Sequence, residues 1–103
     1  MTGERFEILF VCHANLCRSP LAERLARRAF DETFGVLGSV VLTGSAGTNA
    51  YEGSAMHEGS ATVLARSGIE PNGFITRTVN SSMLATADLV LTAERMHRVA
   101  CAS

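Results

Sequence analysis

An α/β fold, a parallel sheet with helices on both faces, is what the sequence predicts, on three observations. The consecutive Ile, Leu, Phe and Val of Phe6 to Val11 lack polar alternation, as befits a strand covered on both faces of a parallel sheet. The late run DLVLT at 88–92 repeats that character. Between the two lie helical periodicities bounded by capping and breaking residues, so that strands and helices alternate. The length, 103 residues, suits one domain over 1–103.

The first predicted strand, Phe6 to Val11, delivers Cys12 to its C-terminal end. Ser19 and Pro20 then start a helix, Ser at or near the N-cap and Pro in the first turn, where a missing N–H costs nothing. The helix runs to about Phe34, with Gly35 as its stop. Its inner stripe is Leu21, Ala22, Leu25, Ala26, Ala29 and Phe30, and its outer face is charged, with Glu23/Arg27 and Arg28/Glu32 spaced as i, i+4 pairs.

A second strand follows at Val40 to Thr43, then a glycine-bearing turn GSAGT at 44–48 and an exposed loop to about His57. A helix is predicted from Glu58 to Ser67, closed by Gly68, and a turn at EPNG, 70–73. Asn80 caps a short helix containing Met83, Leu84 and Ala87; DLVLT is the third buried strand, and AERMHRVACAS at 93–103 opens another helix.

Composition excludes several classes. The chain is 47% apolar and 18% charged with a net charge of -1, which gives no basic field for nucleic acid. The cluster RLARR at 24–28 is flanked by acids and reads as a solvated helix face. The longest apolar stretch, Ile8 to Cys12, is far short of the roughly 20 residues that cross a bilayer. Glu4 and Glu7 do not suit a secretory leader, so a cytoplasmic protein is expected. Three cysteines, an odd number, fit a reducing compartment in which thiols are reactive groups.

In such a sheet ligands bind beyond the carboxyl ends of the strands. That edge holds the loop after Cys12, the SAGT turn, and Ala93 with Glu94. A strand-to-helix loop turns several N–H groups inward, and the first helical turn adds unpaired donors and partial positive charge. A cysteine at its base, close to Arg18, should have its pKa drawn from about 8.5 toward 3.5–7.5. Arg18 adds a planar fork of donors suited to two oxygens of a phosphoryl group.

The stretch Cys12-His13-Ala14-Asn15-Leu16-Cys17-Arg18-Ser19-Pro20 resembles the active-site signature of the low-molecular-weight protein tyrosine phosphatases. The similarity continues through SAGT at 45–48 and ADLVLT at 87–92, and so covers nearly the whole chain. The resemblance implies a phosphatase I-like three-layer α/β/α domain, here without its last strand and helix. It implies hydrolysis of phosphotyrosine or another aryl phosphate, with no cofactor and no metal. Cys12 would attack phosphorus, Arg18 would hold the transferring group, and the amides of His13, Ala14, Asn15, Leu16, Cys17 and Arg18 would bind its oxygens. Asn15 would brace the loop, Ser19 would donate to the thiolate, and Ser45 would join the supporting network. Cys17 would trap oxidised Cys12 as a reversible disulfide, unless it is simply a small buried residue. Tyr51 either lines the cleft or packs.

Three departures from the family qualify this. Ala14 stands where the family usually has Gly, which would strain the loop if positive φ were needed there. Phe74 aligns with a histidine of many members, which removes a polar strut. The family's general acid lies in an Asp-Pro segment beyond the position of Ser103, and no Asp-Pro occurs here. No acid is identified within the chain except Glu94 as a weak stand-in, since Asp88 opens a strand at the remote end. An incomplete C-terminus would expose a sheet edge and favour a homodimer. The alternatives are an oxyanion-binding module with little turnover, and arsenate reduction, for which Cys101 aligns with one relay cysteine while Glu94 occupies the other position. A metal held by Cys12, His13 and Cys17 lacks a fourth ligand. His57 and His97 read as surface residues.

Overall fold

In a computed structural model, which describes residues 5–16, 18–35 and 40–92, Phe6–Cys12 forms the central strand, β1. The chain then builds α1 (Arg18–Phe34), β2 (Val41–Gly47), α2 (Glu58–Arg66), α3 (Ser81–Thr86) and β3 (Leu89–Thr92). The strands are all parallel in the order β2-β1-β3, with Cys12 opposite Gly47 and Val11 opposite both Ala46 and Thr92. One edge of the sheet therefore carries the ends of all three strands together with Cys12.

Alternation along β1 divides its side chains between two layers. Leu9 and Val11, with Ala46 of β2, form a core cluster against Val79, Met83, Leu84, Ala87 and Val90, on the side of α3. Phe10 points the other way and shares a groove with Ala22 of α1 and Leu91. A second cluster, Met56, Leu64 and Phe74 packed on Leu21, Ala61 and Ile69, ties α2 to the start of α1. The predicted α/β class, with helices on both faces of a parallel sheet, is the observed one.

Three local expectations are corrected. GSAG at 44–47 is strand rather than turn, because β2 runs through to Gly47. Its glycines are there for lack of bulk: a Cβ on Gly44 would stand 2.8 Å from a guanidinium nitrogen of Arg77, and one on Gly47 would meet the loop backbone. Ser19 is inside the first turn of α1 and buried, so its hydroxyl serves the site and not the helix end. The third strand is not fully buried, since Leu89 and Leu91 are 40% and 44% exposed. It lies outermost on its side of the described sheet, and α1 packs mainly on β2 and β1.

The outer face of α1 is not simply solvated. Arg27 donates to the carbonyl of Val41 and to Asp31 at 2.9 Å, and Arg28 reaches the carbonyl of Ser67 at 2.8 Å while pairing with Glu32 at 2.6 Å. Arg24 stacks 6.0 Å from the centre of the Phe74 ring. Glu23 accepts from the Ser45 hydroxyl at 2.6 Å and stands 3.7 Å from Arg24. Because α1 packs on both β2 and α2, its long side chains reach a carbonyl at the start of β2 and one just past the end of α2. Leu25 of the expected inner stripe is instead 42% exposed.

Candidate active site

The backbone of residues 12–16 turns its carbonyls outward. Thr48 N–H donates to the carbonyl of Cys12 at 2.9 Å, Asn49 N–H to that of His13 at 2.8 Å, and His57 N–H to that of Leu16 at 2.8 Å. With those acceptors satisfied from outside, the N–H groups of the loop are left to face inward, as a concave anion cradle requires.

The Cys12 sulfur occupies that cradle, buried, 3.0 Å from the Ser19 hydroxyl. Burial opposes ionisation of the thiol. The Ser19 hydroxyl, the Ser19 N–H and then the N–H groups of Asn15 and Leu16 outweigh it, so the pKa lies below the ordinary cysteine value. The sequence argument credited the loop amides, the first helical turn and Arg18; the Ser19 N–H is such a first-turn donor and those of Asn15 and Leu16 are loop amides, while the Ser19 hydroxyl lowers the pKa most and Arg18 is not among the causes. Arg18 is exposed in the first turn of α1 and lines the groove shared by Phe10, Ala22, Leu91 and Thr92. A buried thiol of lowered pKa among converging amides has the makings of a nucleophile beside an anion cradle.

Residues 7–103 match the family model described as low molecular weight phosphotyrosine protein phosphatase. The chain belongs to that family. It is 35% identical to the low molecular weight protein-tyrosine-phosphatase YfkJ of Bacillus subtilis, over 82% of this chain and 53% of YfkJ. To the corresponding phosphatase Wzb of Escherichia coli (strain K12) it is 33% identical, over 87% of this chain and 56% of Wzb. The crystal structure of YfkJ superposes with a TM-score of 0.87 at 30% identity, covering 98% of this chain and 63% of that one. The YwlE arginine phosphatase from Geobacillus stearothermophilus gives 0.78 at 32% identity, covering 91% and 56%. The chain thus spans about half the length of the curated relatives it matches.

Within this phosphatase-family loop, the left-handed residue is Asn15, with φ of 58°, and not Ala14. The Ala14 substitution therefore brings no positive-φ strain; left-handed backbone is tolerated far better by Asn than by most residues. Asn15 is fully buried, donates from Nδ2 to the Ser19 hydroxyl at 2.9 Å and accepts at Oδ1 from Arg77 N–H at 2.9 Å. His13 is exposed, and Ala14 and Leu16 are half-buried. Ser45 is near the site but its hydroxyl turns away, to Glu23; only its carbonyl is tied to the loop, through Arg77 Nε at 2.8 Å.

Phe74 is no polar strut: it is buried in the cluster with Met56 and Leu64. Tyr51 is 86% exposed, so it does not pack. His57 is exposed as expected but also caps α2, its Nδ1 accepting from Gly59 N–H at 3.0 Å. Asp88 accepts from Glu7 N–H at 2.7 Å, at the end of the sheet remote from Cys12. Cys17, Glu94, His97 and Cys101 lie outside the described residues.

Sequence reading missed Gly47 and Arg77. A Cβ on Gly47 would lie 2.6 Å from the His13 carbonyl oxygen and 2.8 Å from Asn15 N. The glycine was visible in SAGT, but nothing in one sequence says which backbone it faces. Arg77 gave no signal, since its contacts depend on the crossing of residues 76–79 over the end of β2. Among the described residues no three His, Cys, Asp or Glu side chains gather as a metal cage, and no helix is long and apolar enough to cross a membrane.

Proposed function

We propose that this chain is a phosphatase acting on phosphotyrosine or another aryl phosphate through a cysteinyl-phosphate at Cys12. The observation that carries the reading is the Cys12 sulfur, held by the Ser19 hydroxyl and by loop amides that favour its ionised form. The thiolate attacks phosphorus, an S–P bond forms as the P–O bond to the aryl group breaks, and the aryl oxygen takes a proton. Water then attacks the phosphocysteine, releasing phosphate and the thiolate. Arg18 and the amides of residues 13–18 hold the phosphoryl oxygens, most strongly as charge spreads over them. Cys17 guards Cys12 against overoxidation.

No general acid is identified; Glu94, two residues beyond Thr92 in the sequence, is a weak candidate. A positioned acid typically contributes about 10² to 10⁴-fold to such a step. It matters most for poor leaving groups: tyrosine, with pKa about 10, and still more a guanidine. An aryl ester is therefore favoured over the phosphoarginine suggested by the likeness to YwlE. Weak turnover would leave an oxyanion-binding module as the alternative.

We take the chain as a single cytoplasmic domain with no nucleic-acid partner, on its odd cysteine count and its net charge of -1. The exposure of Leu89 and Leu91 on β3, the outermost strand on its side of the described sheet, supports a homodimer through that strand, and sedimentation of a monomer at assay concentration would refute it.

The deciding experiment is hydrolysis of para-nitrophenyl phosphate, a phosphotyrosine peptide and a phosphoarginine peptide by wild type and Cys12→Ser across pH. Cys12-dependent turnover of the aryl esters supports the proposal. Phosphate binding without Cys12-dependent turnover favours the module, and preference for phosphoarginine moves the substrate class.

A further inference from the structure

We propose that Arg77 is a positioning residue that sets the direction of the proton between Ser19 and Cys12. The Asn15 side-chain amide is the link. A main-chain N–H can only donate, so Arg77 N–H at 2.9 Å must face the Oδ1 of Asn15 and not its NH₂. That orientation aims Nδ2 at the Ser19 oxygen, 2.9 Å away. With that oxygen accepting from Asn15, the Ser19 hydroxyl proton is free to point at the sulfur 3.0 Å away. Between sulfur and oxygen either atom could donate on geometry alone; the Arg77 N–H breaks the tie in favour of Ser19. The Cys12 sulfur is thereby the acceptor, which is the role of a thiolate.

What holds Arg77 in register is its own side chain. Its Nε donates to the Ser45 carbonyl at 2.8 Å, and its terminal nitrogens lie over Gly44, where a Cβ would come within 2.8 Å. Its carbonyl accepts from Gly47 N–H at 2.9 Å. The residue is thus tied to β2 by hydrogen bonds to Ser45 and Gly47, with its guanidinium over Gly44, and β2 is paired along its length to the strand that ends in Cys12. His13 follows Cys12 on its own loop and Arg18 starts α1, while Glu52 is near enough to Arg77 to feel its charge.

Two near-isosteric replacements separate donor from charge. Arg77→Gln places a donor nitrogen at the same bond count as Nε and removes the charge; Arg77→Met places a methyl carbon there. The readout is the pH midpoint of iodoacetamide alkylation at Cys12, resolved from the other cysteines by mass spectrometry, with the urea midpoint as a check on folding. Arg77→Met is expected to raise the thiol midpoint by roughly half to one pH unit, the scale of a weakened hydrogen bond to a charged group. Arg77→Gln is expected to keep the wild-type midpoint. A folded Arg77→Met with an unshifted midpoint overturns the proposal, as does an equal shift in both variants, which would make the effect one of charge. If Arg77→Met fails to fold, Gly44→Ala displaces the guanidinium from the opposite side, and an unshifted midpoint in that variant overturns it equally. The inference rests on Cys12 being the reactive thiolate. A low wild-type midpoint without phosphatase turnover would sink the proposed reaction while leaving the role of Arg77 standing.

Discussion

Gly47 ends β2 so close to the loop that a Cβ there would lie 2.6 Å from the carbonyl oxygen of His13. The neighbouring obstructions, Asn15 N at 2.8 Å and the carbonyl carbon of Ala14 at 2.9 Å, are backbone atoms and cannot swing aside as a side chain would. Gly47→Ala must therefore push the whole cradle outward. The expected cost is about 1–3 kcal/mol of stability, with loss of the depressed thiol pKa as the amides leave the sulfur. Urea unfolding and alkylation of Cys12 check the two together, and a folded variant with wild-type alkylation would mean the loop tolerates the displacement.

Ser19 supplies both the hydroxyl and one of the amides that hold the Cys12 sulfur. Ser19→Ala removes the first and keeps the second, so the thiol pKa should rise. The sign for stability follows from linkage. A thiol whose folded pKa is lower than its unfolded pKa contributes stability fully above the unfolded value and loses it as pH falls through the folded one. Wild-type stability should therefore climb with pH across the interval between the two, and Ser19→Ala should climb less. Urea midpoints taken through that interval test it; identical slopes would remove Ser19 as a source of the shift.

The Ser45 hydroxyl was expected in the loop network and is found on Glu23. Ser45→Ala leaves a half-buried carboxylate short of one donor while its backbone contact with Arg77 persists. A loss of about 1 kcal/mol is expected, with the Cys12 alkylation midpoint unmoved. A shift in that midpoint would place the hydroxyl back in the loop network.

How far the sequence reached is clear from these same residues. The strand ending in Cys12, the helix started near Pro20 and the Asn80 cap were legible because each depends on neighbours within a few positions: a run of apolar residues, a missing N–H, a side chain that accepts from Met83 N–H at 2.8 Å. Gly47 and Arg77 were not, because what they do depends on a backbone brought against them from 30 or more positions away. The charged face of α1 was misread for a related reason. Periodicity identifies which side of a helix is polar, but not that carbonyls from β2 and the end of α2 would meet it.

Phe74 carries the last prediction, since it occupies the place where a histidine brace was looked for. Its ring is buried among Met56 and Leu64 with the Arg24 guanidinium 6.0 Å from its centre. Asn15 Oδ1 is already served by Arg77 N–H, so a histidine at 74 would enter an apolar cluster beside a cation. Phe74→His should cost roughly 1–3 kcal/mol from packing and an imidazole in apolar surroundings. Burial and Arg24 both disfavour the imidazolium, which lowers the folded pKa of that histidine below its unfolded value of about 6.5. The folded state then binds fewer protons than the unfolded state, and stability falls further as pH drops through the unfolded value. Urea midpoints of wild type and Phe74→His, measured at about one unit above and one below that pKa, should diverge at the lower pH. Equal differences at both would mean that the imidazole escapes the cluster to solvent, and a gain in stability would mean that the loop does have room for a second brace.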